Sequence, residues 1–212
     1  MLTQYHRQIC QRALADEFSL PALEIIIAAN VAQDNLRGQI GHPEYHFDDN
    51  AFEQGNAYLE QQRRLILTTL ANNTDRTPTW QAFGRLTHAA QDFYAHSNYL
   101  QLWVEQLPAE ADPDPEQVSA LDLALLEHPE LRSGRIYLPE VLAFIPALRP
   151  FTRRILPADA HANMNLDYPE RGWLFPYVIE AAVQRTVHEY RQLASRIQWE
   201  LASAALARFK DR

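Results

Sequence analysis

Residues 84–98 read GRLTHAAQDFYAHSN, and this stretch restricts what the chain can fold into more than any other. His88, Asp92 and His96 recur every four residues, a little more than one helical turn, so the three side chains climb one face of a helix. Alanines and aromatics fill the positions between them. Neighbouring members stand ~5–6 Å apart at Cβ, close enough for two to grip one ion. His88 and His96 are separated by ~12 Å along the axis, too far to share one. If the stretch is a metal site, Asp92 is the shared central ligand of more than one ion, and other segments supply the remaining donors.

The rest of the chain reads as helix. It has 6 glycines in 212 residues, and apolar residues recur with a helical period at about 3–17, 21–38, 48–72, 77–106 and 170–208. Pro21 ahead of ALEIIIAAN suits a helix first turn. HFDDNAFEQG supplies acidic capping residues for the third helix, and NNTDRTPT ends it. QLPAEADPDPEQ is an acidic, proline-rich loop, and the pattern stays weak through residue 157, so about 107–157 is a variable connection. No strand alternation stands out. The expectation is an all-α, single-domain helical bundle over residues 1–212, large enough for one core at 47% hydrophobic content.

Charge and cysteine usage narrow the chemistry. Nineteen basic against 27 acidic residues leave a formal charge of −8, which argues against a general grip on duplex nucleic acid. Arg153 and Arg154 beside Phe151 are too few to make a single-strand track. Cys10 stands alone, so there is neither a disulfide framework nor a thiolate zinc motif. The opening MLTQYHRQICQRALADEF lacks a secretory signal, and no apolar run reaches membrane-spanning length. The expected location is the cytoplasm, and nothing in the sequence bears on the oligomeric state.

Several polar residues fall on apolar stripes. Leu23, Ile27, Asn30 and Asp34 follow the three-four spacing of a buried helix face. A core-facing carboxylate is costly unless paired or metal-bound, so Asp34 is a candidate ligand with Asn30 supporting it one turn below. The alternative is that Asp34 bonds Arg37 or a loop amide at the helix end. His46 sits between Tyr45 and Phe47 before a helix start. His6 shares a helix face with Ile9, Cys10 and Leu14, and either pairs with the Cys10 thiol or leaves that thiol as packing. His161 and Asn165 stand at i, i+4, flanked by Asp159 and Asp167. His128 and His188 lie in polar surroundings and read as solvated. The seven donors His6, Asp34, His46, His88, Asp92, His96 and His161, without a cysteine cluster, suit a zinc site of the catalytic kind. Paired Glu-x-x-His motifs of a di-iron bundle are missing.

FGRLTHAAQDFYAHSNYLQLW resembles the signature helix of the Het-C-like branch of the zinc-dependent phospholipase C and single-strand nuclease superfamily. LTQYHRQICQRAL, LEIIIAANVAQDN with HPEYHFDD, and AHANMNLDYP resemble further segments of that branch in the same order. The resemblance implies a helical bundle of the zinc-dependent phospholipase C type holding one to three zinc ions. Asp34, His46, His88 and Asp92 would hold the first ion, His96, His161 and Asn165 the second, and His6 with Asp92 a third. Those phospholipases and nucleases carry a carboxylate where Asn165 stands, so Asp159 or Asp167 is the alternative ligand there.

The function expected on this basis is hydrolysis of phosphoric esters, phospholipase C-like or on a small phosphodiester. Zinc would activate a water, with Asp34 as ligand and general base. The alternatives are a non-catalytic Het-C-like recognition module with structural zinc, or a single-strand nuclease. A zinc enzyme acting on a non-phosphate substrate has no positive support in the residues.

Overall fold

The computed structural model describes residues 1–39, 41–72, 74–137 and 156–212. Positions 138–155 of the variable connection, which include Phe151, Arg153 and Arg154, lie outside the described residues.

The chain is an all-α helical bundle. The helices are α1 (Thr3–Leu14), α2 (Leu20–Val31), α3 (Leu36–Gln39), α4 (Phe52–Asn72), α5 (Thr77–His96), α6 (Tyr99–Glu105), α7 (Leu123–Leu126), α8 (His161–Met164), α9 (Phe175–Leu201) and α10 (Ser203–Lys210). Among the described residues the extended backbone amounts to two isolated bridges, Ser97 with Ser133 and Arg135 with Ala160. No described helix is long and apolar enough to cross a membrane.

α5 is the axis of the bundle. It packs against α2, α4 and α9, and every residue from Leu86 to Ser97 is buried. A helix surrounded on all sides has no solvent face on which to place its polar residues, so His88, Gln91, Asp92 and His96 are enclosed with the alanines. Gly84 lets α2 approach: a Cβ there would lie 2.2 Å from the Ile26 carbonyl oxygen. Below this contact the core is aromatic. Phe209 of α10 meets Phe18 and Phe83 edge-on, with ring centroids 5.0 and 5.5 Å away, and its carbonyl accepts the Trp80 indole N–H at 2.7 Å. Each such buried ring stabilises the fold by roughly 1.5–3 kcal/mol.

Several helix boundaries differ from the sequence reading. The helix expected at 21–38 ends at Val31 and is followed by the 3-10 turn Ala32–Asp34 and the separate α3. The expected helix at 77–106 breaks at Ser97, whose backbone turns extended (φ −105°, ψ 166°). Ser97 Oγ donates to the Phe93 carbonyl, and Asn98 bonds the 130–132 loop through its backbone N–H and both ends of its amide. The third helix starts at Phe52 rather than at 48, because Phe47, Asp49 and Asn50 all adopt positive φ of 56–57°. The last long helix begins at Phe175 rather than 170 and breaks at Ala202, φ 74°.

The turn at 46–51 is held in that conformation from outside. Asp49 N–H donates to the Gly134 carbonyl at 2.8 Å, and Asp49 Oδ1 accepts from Ile136 N–H at 2.7 Å. Asn50 and Ser133 exchange two further bonds, at 2.9 and 2.7 Å. A left-handed phenylalanine costs about 1–3 kcal/mol and persists only where its surroundings fix it. The consequence is directional: the turn carries His46 and Asp48, both buried, toward α5.

Candidate metal centre

Three segments bring four donors together on the polar face of α5. His6 comes from α1, Asp34 from the 3-10 turn Ala32–Asp34 that ends α2, and His88 and Asp92 from α5. One donor atom from each lies within 4.8 Å of all the others. His6 Nε2 is 3.2 Å from Asp92 Oδ1 and 3.7 Å from Asp34 Oδ2. His88 Nε2 is 3.0 Å from Asp92 Oδ2 and 3.7 Å from Asp34 Oδ1. His46 adjoins them, with Nδ1 2.9 Å from Asp92 Oδ2 and 3.1 Å from His88 Nε2.

A second group forms at the end of α5 from Asp48, His96 and His161. Asp48 Oδ1 is 3.2 Å from His96 Nδ1 and 3.7 Å from His161 Nε2. Asp167 Oδ1 reaches His96 Nε2 at 3.1 Å. Asp92 lies between the two groups, its Oδ1 4.0 Å from His96 Nε2. The α-amino group of Met1 stands 2.9 Å from Asp92 Oδ1 and 3.1 Å from Asp167 Oδ1, a cation lodged between two carboxylates.

The tautomer of His6 can be assigned from a buried hydrogen-bond chain. Gln91 donates through Nε2 to Thr186 Oγ1 at 3.1 Å and to the Cys10 sulfur at 3.4 Å. The Thr186 hydroxyl donates to the Ala182 carbonyl, so its oxygen is free to accept. Gln91 Oε1 is therefore an acceptor, taking the Asn30 amide at 3.2 Å and His6 Nδ1 at 2.7 Å. Asn30 is anchored in turn by Thr87 Oγ1 at 3.0 Å. With its proton on Nδ1, the neutral tautomer of His6 turns its Nε2 lone pair toward Asp34 and Asp92. The 3.2 Å approach to Asp92 lacks hydrogen-bond geometry, and His6 Nε2, Asp34 Oδ2, Asp48 Oδ1 and His88 Nδ1 have no hydrogen-bond partner among the described residues.

The electrostatics follow from burial and charge. Burial, reinforced by the neighbouring Asp92, raises the Asp34 carboxyl above its ordinary value. Burial holds His88 well below the ordinary imidazole value. Burial also opposes ionisation of Asp92, but the Met1 amine and the histidines His96, His88 and His6 overcome it and hold the carboxyl well below its usual range. His96 goes the other way: burial is outweighed by Asp92 and Asp48, which raise it well above its ordinary value. Burial likewise opposes ionisation of Asp48, but His96 and His161 hold it below its ordinary value. Each group thus contains one buried carboxylate held ionised, Asp92 in the inner and Asp48 in the outer, an arrangement that a cation stabilises.

The other residues singled out in the sequence are placed as follows. Asn30 supports Gln91 and, through it, His6. Asp159 accepts the Tyr137 hydroxyl at 2.9 and 3.1 Å. Asn165 ends α8, its N–H on the His161 carbonyl and its own carbonyl on Arg171 Nε. Cys10 is buried among apolar residues, which pushes its thiol up to about 11, and its neighbour is Gln91 rather than His6. Two participants were not proposed from sequence. Asp48 is the first acid of HFDD, which sequence patterning gives to a helix cap, whereas the helix starts four residues later. Gln91 is an amide one helical turn from His88, and its burial is its only signal.

The profile of the VWA7 N-terminal domain family matches residues 5–120. Three curated relatives, each a von Willebrand factor A domain-containing protein 7, align over 85 residues: those of rat and human are 39% identical to this chain, and that of mouse 38%. The aligned stretch is 40% of this chain and 9% of each relative. No solved structure matches. These findings overturn the resemblance to the Het-C-like branch of the zinc-dependent phospholipase C and nuclease superfamily. Phosphoric ester hydrolysis, phospholipase C-like or nuclease activity, the Het-C-like recognition role and the assignment as a zinc hydrolase all entered through that resemblance and are withdrawn with it. The physical reason is that four-residue spacing of His and Asp is what any helix needs to line a buried polar centre, so it does not identify a family. The family profile instead covers more than half of the sequence, and the chain belongs to the VWA7 N-terminal domain family.

Proposed function

We propose that this domain binds divalent transition-metal ions, an inner one among His6, Asp34, His88 and Asp92, and an outer one among Asp48, His96 and His161 with Asp167 at its edge. The observation that carries the reading is His6 Nε2, oriented by the Gln91 contact at Nδ1 and facing the buried Asp92 and half-buried Asp34 carboxylates without a hydrogen bond to either. Lone pair facing carboxylate is repulsive; a cation between them makes it favourable. Imidazole with carboxylate and no thiolate suits zinc and its first-row neighbours. The Nδ1–H of His6 on an amide oxygen is the support that such ligands commonly use to fix their orientation.

An ion in the inner group would brace α1, the end of α2 and α5, with His46 adjoining. An ion in the outer group would brace the end of α5, the 46–51 turn and α8. Binding to the folded chain alone stabilises it by about 4 kcal/mol at a thousandfold excess over the dissociation constant. The test is elemental analysis of the purified chain, followed by chelator stripping and re-addition of zinc, cobalt or manganese. Stoichiometric metal and a rise of several degrees in the unfolding temperature on re-addition are expected. A stripped, folded chain that takes up none of these ions with saturation would refute the reading.

A further inference from the structure

A cavity lies against a cluster of aromatic residues next to the metal centre in the chain. It measures about 330 Å³ and is lined by Phe47, Phe52 and Phe93, with Leu126, His128 and Arg185. The rings meet one another edge-on, Phe93 with Phe47 at 5.3 Å and with Phe52 at 6.0 Å. Phe47 reaches this position because residue 55 is glycine; a Cβ there would stand 2.6 Å from the ring.

The polar side of the cavity carries an unbalanced charge. Arg185 donates Nε to Glu189 Oε1 at 2.8 Å, and Arg63 donates to the other oxygen of Glu189 at 2.6 and 3.1 Å. Glu189 is buried and satisfied by these two guanidinium groups. Arg63 also approaches Glu60, which pairs with Arg64 and Arg196, and Arg196 pairs with Glu200. The Arg64, Arg196, Glu60 and Glu200 groups are solvent-screened. Inside the protein two guanidinium groups, Arg63 and Arg185, therefore share the one buried carboxylate of Glu189. Arg185, which also contacts Tyr94, is the member that lines the cavity. His128 adds a donor: its Nδ1 accepts the Glu130 N–H, so the neutral ring carries its proton on Nε2. Glu127 at the mouth is exposed, where water screens its charge.

We propose that this cavity is a binding site for a small organic carboxylate, with the carboxylate on Arg185 and an apolar, ring-sized body among Phe47, Phe52 and Phe93. A planar guanidinium matches a carboxylate in shape as well as charge. Aromatic walls with a few convergent donors are the usual lining of a small-molecule site. The volume stands near the lower end of such sites, which fall between about 300 and 1,000 Å³. It accommodates one ring with a short acid chain and excludes a nucleotide. Phe47 and Phe93 follow His46 and Asp92 directly, so one wall separates this site from the metal centre, yet no donor atom of that centre lines it.

The test is titration of the full chain with benzoate, phenylacetate and hexanoate, alongside phenylacetamide and inorganic phosphate, by calorimetry and ligand-observed NMR. At least one carboxylate should bind saturably, and at least tenfold more tightly than phenylacetamide or phosphate. Arg185→Gln should abolish that binding. Ala90→Leu, which fills the cavity while leaving the arginine cluster in place, should abolish it with metal content unchanged; this variant decides the matter if Arg185→Gln does not fold. No saturable binding of any of the three acids would overturn the proposal. So would equal binding of the amide, equal binding of phosphate, or wild-type affinity in Ala90→Leu.

Discussion

The inner donors ride on helices or on the helical turn that ends one: His6 on α1, Asp34 after α2, His88 and Asp92 on α5. The outer donors come from less regular backbone: Asp48 from a left-handed turn, His161 from the four-residue α8, Asp167 from the loop beyond it, and His96 alone from α5. Burial separates them less sharply: His6, His88 and Asp92 are fully enclosed and Asp34 is 16% exposed, while in the outer group Asp48 and His96 are 5% exposed, Asp167 17% and His161 24%. A donor set fixed by helix packing is already arranged for an ion, while a set held by loops must be ordered by it. If both sites bind as proposed, the inner one should be the tighter of the two.

The largest effect is expected where the two sites join. Asp92→Ala removes the carboxylate both groups face and leaves the Met1 amine and His96 buried without it. Breaking a buried charge pair typically costs 3–5 kcal/mol, and both metal sites should be lost. His96→Ala should remove only the outer ion. Elemental analysis with thermal unfolding compares them, and a full metal complement in Asp92→Ala would dissolve the link between the sites.

Gln91→Leu sharpens the contrast from the inner side. It removes the acceptor that holds His6 Nδ1–H without touching a donor atom. Loss of such support typically weakens metal binding 10–100-fold, and the outer site should keep its affinity. A competitive chelator titration resolving both sites reads this directly, and an equal loss at both would reduce Gln91 to general packing.

A pH experiment separates the metal centre from the arginine cluster on the far side of α5. Burial opposes ionisation of Glu189, but Arg185 and Arg63 hold its carboxyl below the ordinary 4.5. A depressed carboxyl stabilises the fold above its unfolded value and loses that contribution as pH falls through its folded one. In the stripped protein, Glu189→Gln should lower stability at pH 6 and make little difference once the pH is well below 4. Denaturant unfolding at both pH values tests it, and an equal loss at the two would show that the carboxylate charge is immaterial.

The smallest effect is expected at Asn165. Asp167 and Asp48 already bring carboxylates to His96, so Asn165→Asp should change outer-site affinity by less than about threefold, within the 1.4 kcal/mol that separates tenfold steps. Asp167→Ala should weaken the same site clearly. The reverse pattern, measured by zinc titration, would make Asn165 the ligand and Asp167 its neighbour.

The same division explains what could be read from the sequence. His88, Asp92 and His96 announce themselves because a helix converts a spacing of four into a shared face, and Asp34 and His6 because each sits on an apolar stripe. The all-α bundle follows from the same periodicity. Asp48 carries no such mark: it reaches the site because Phe47 and its neighbours take positive φ, and that turn is fixed by residues 133–136, far away in the chain. The break at Ser97 was hidden for the same reason, since the loop that clasps it comes from 130–134. Family membership was not legible in the motif at all, because buried-donor spacing is common to helices that line polar centres whatever their descent.

The central claim is that the buried donors on α1, α2's end and α5 enclose an ion. Anomalous diffraction from crystals of the chain grown with zinc or cobalt tests it most directly. The account predicts a peak about 2.0–2.2 Å from His6 Nε2, His88 Nε2 and oxygens of Asp34 and Asp92, with a weaker peak beside Asp48, His96 and His161. Peaks confined to the protein surface, with the inner donors closed on one another as hydrogen bonds, would contradict it.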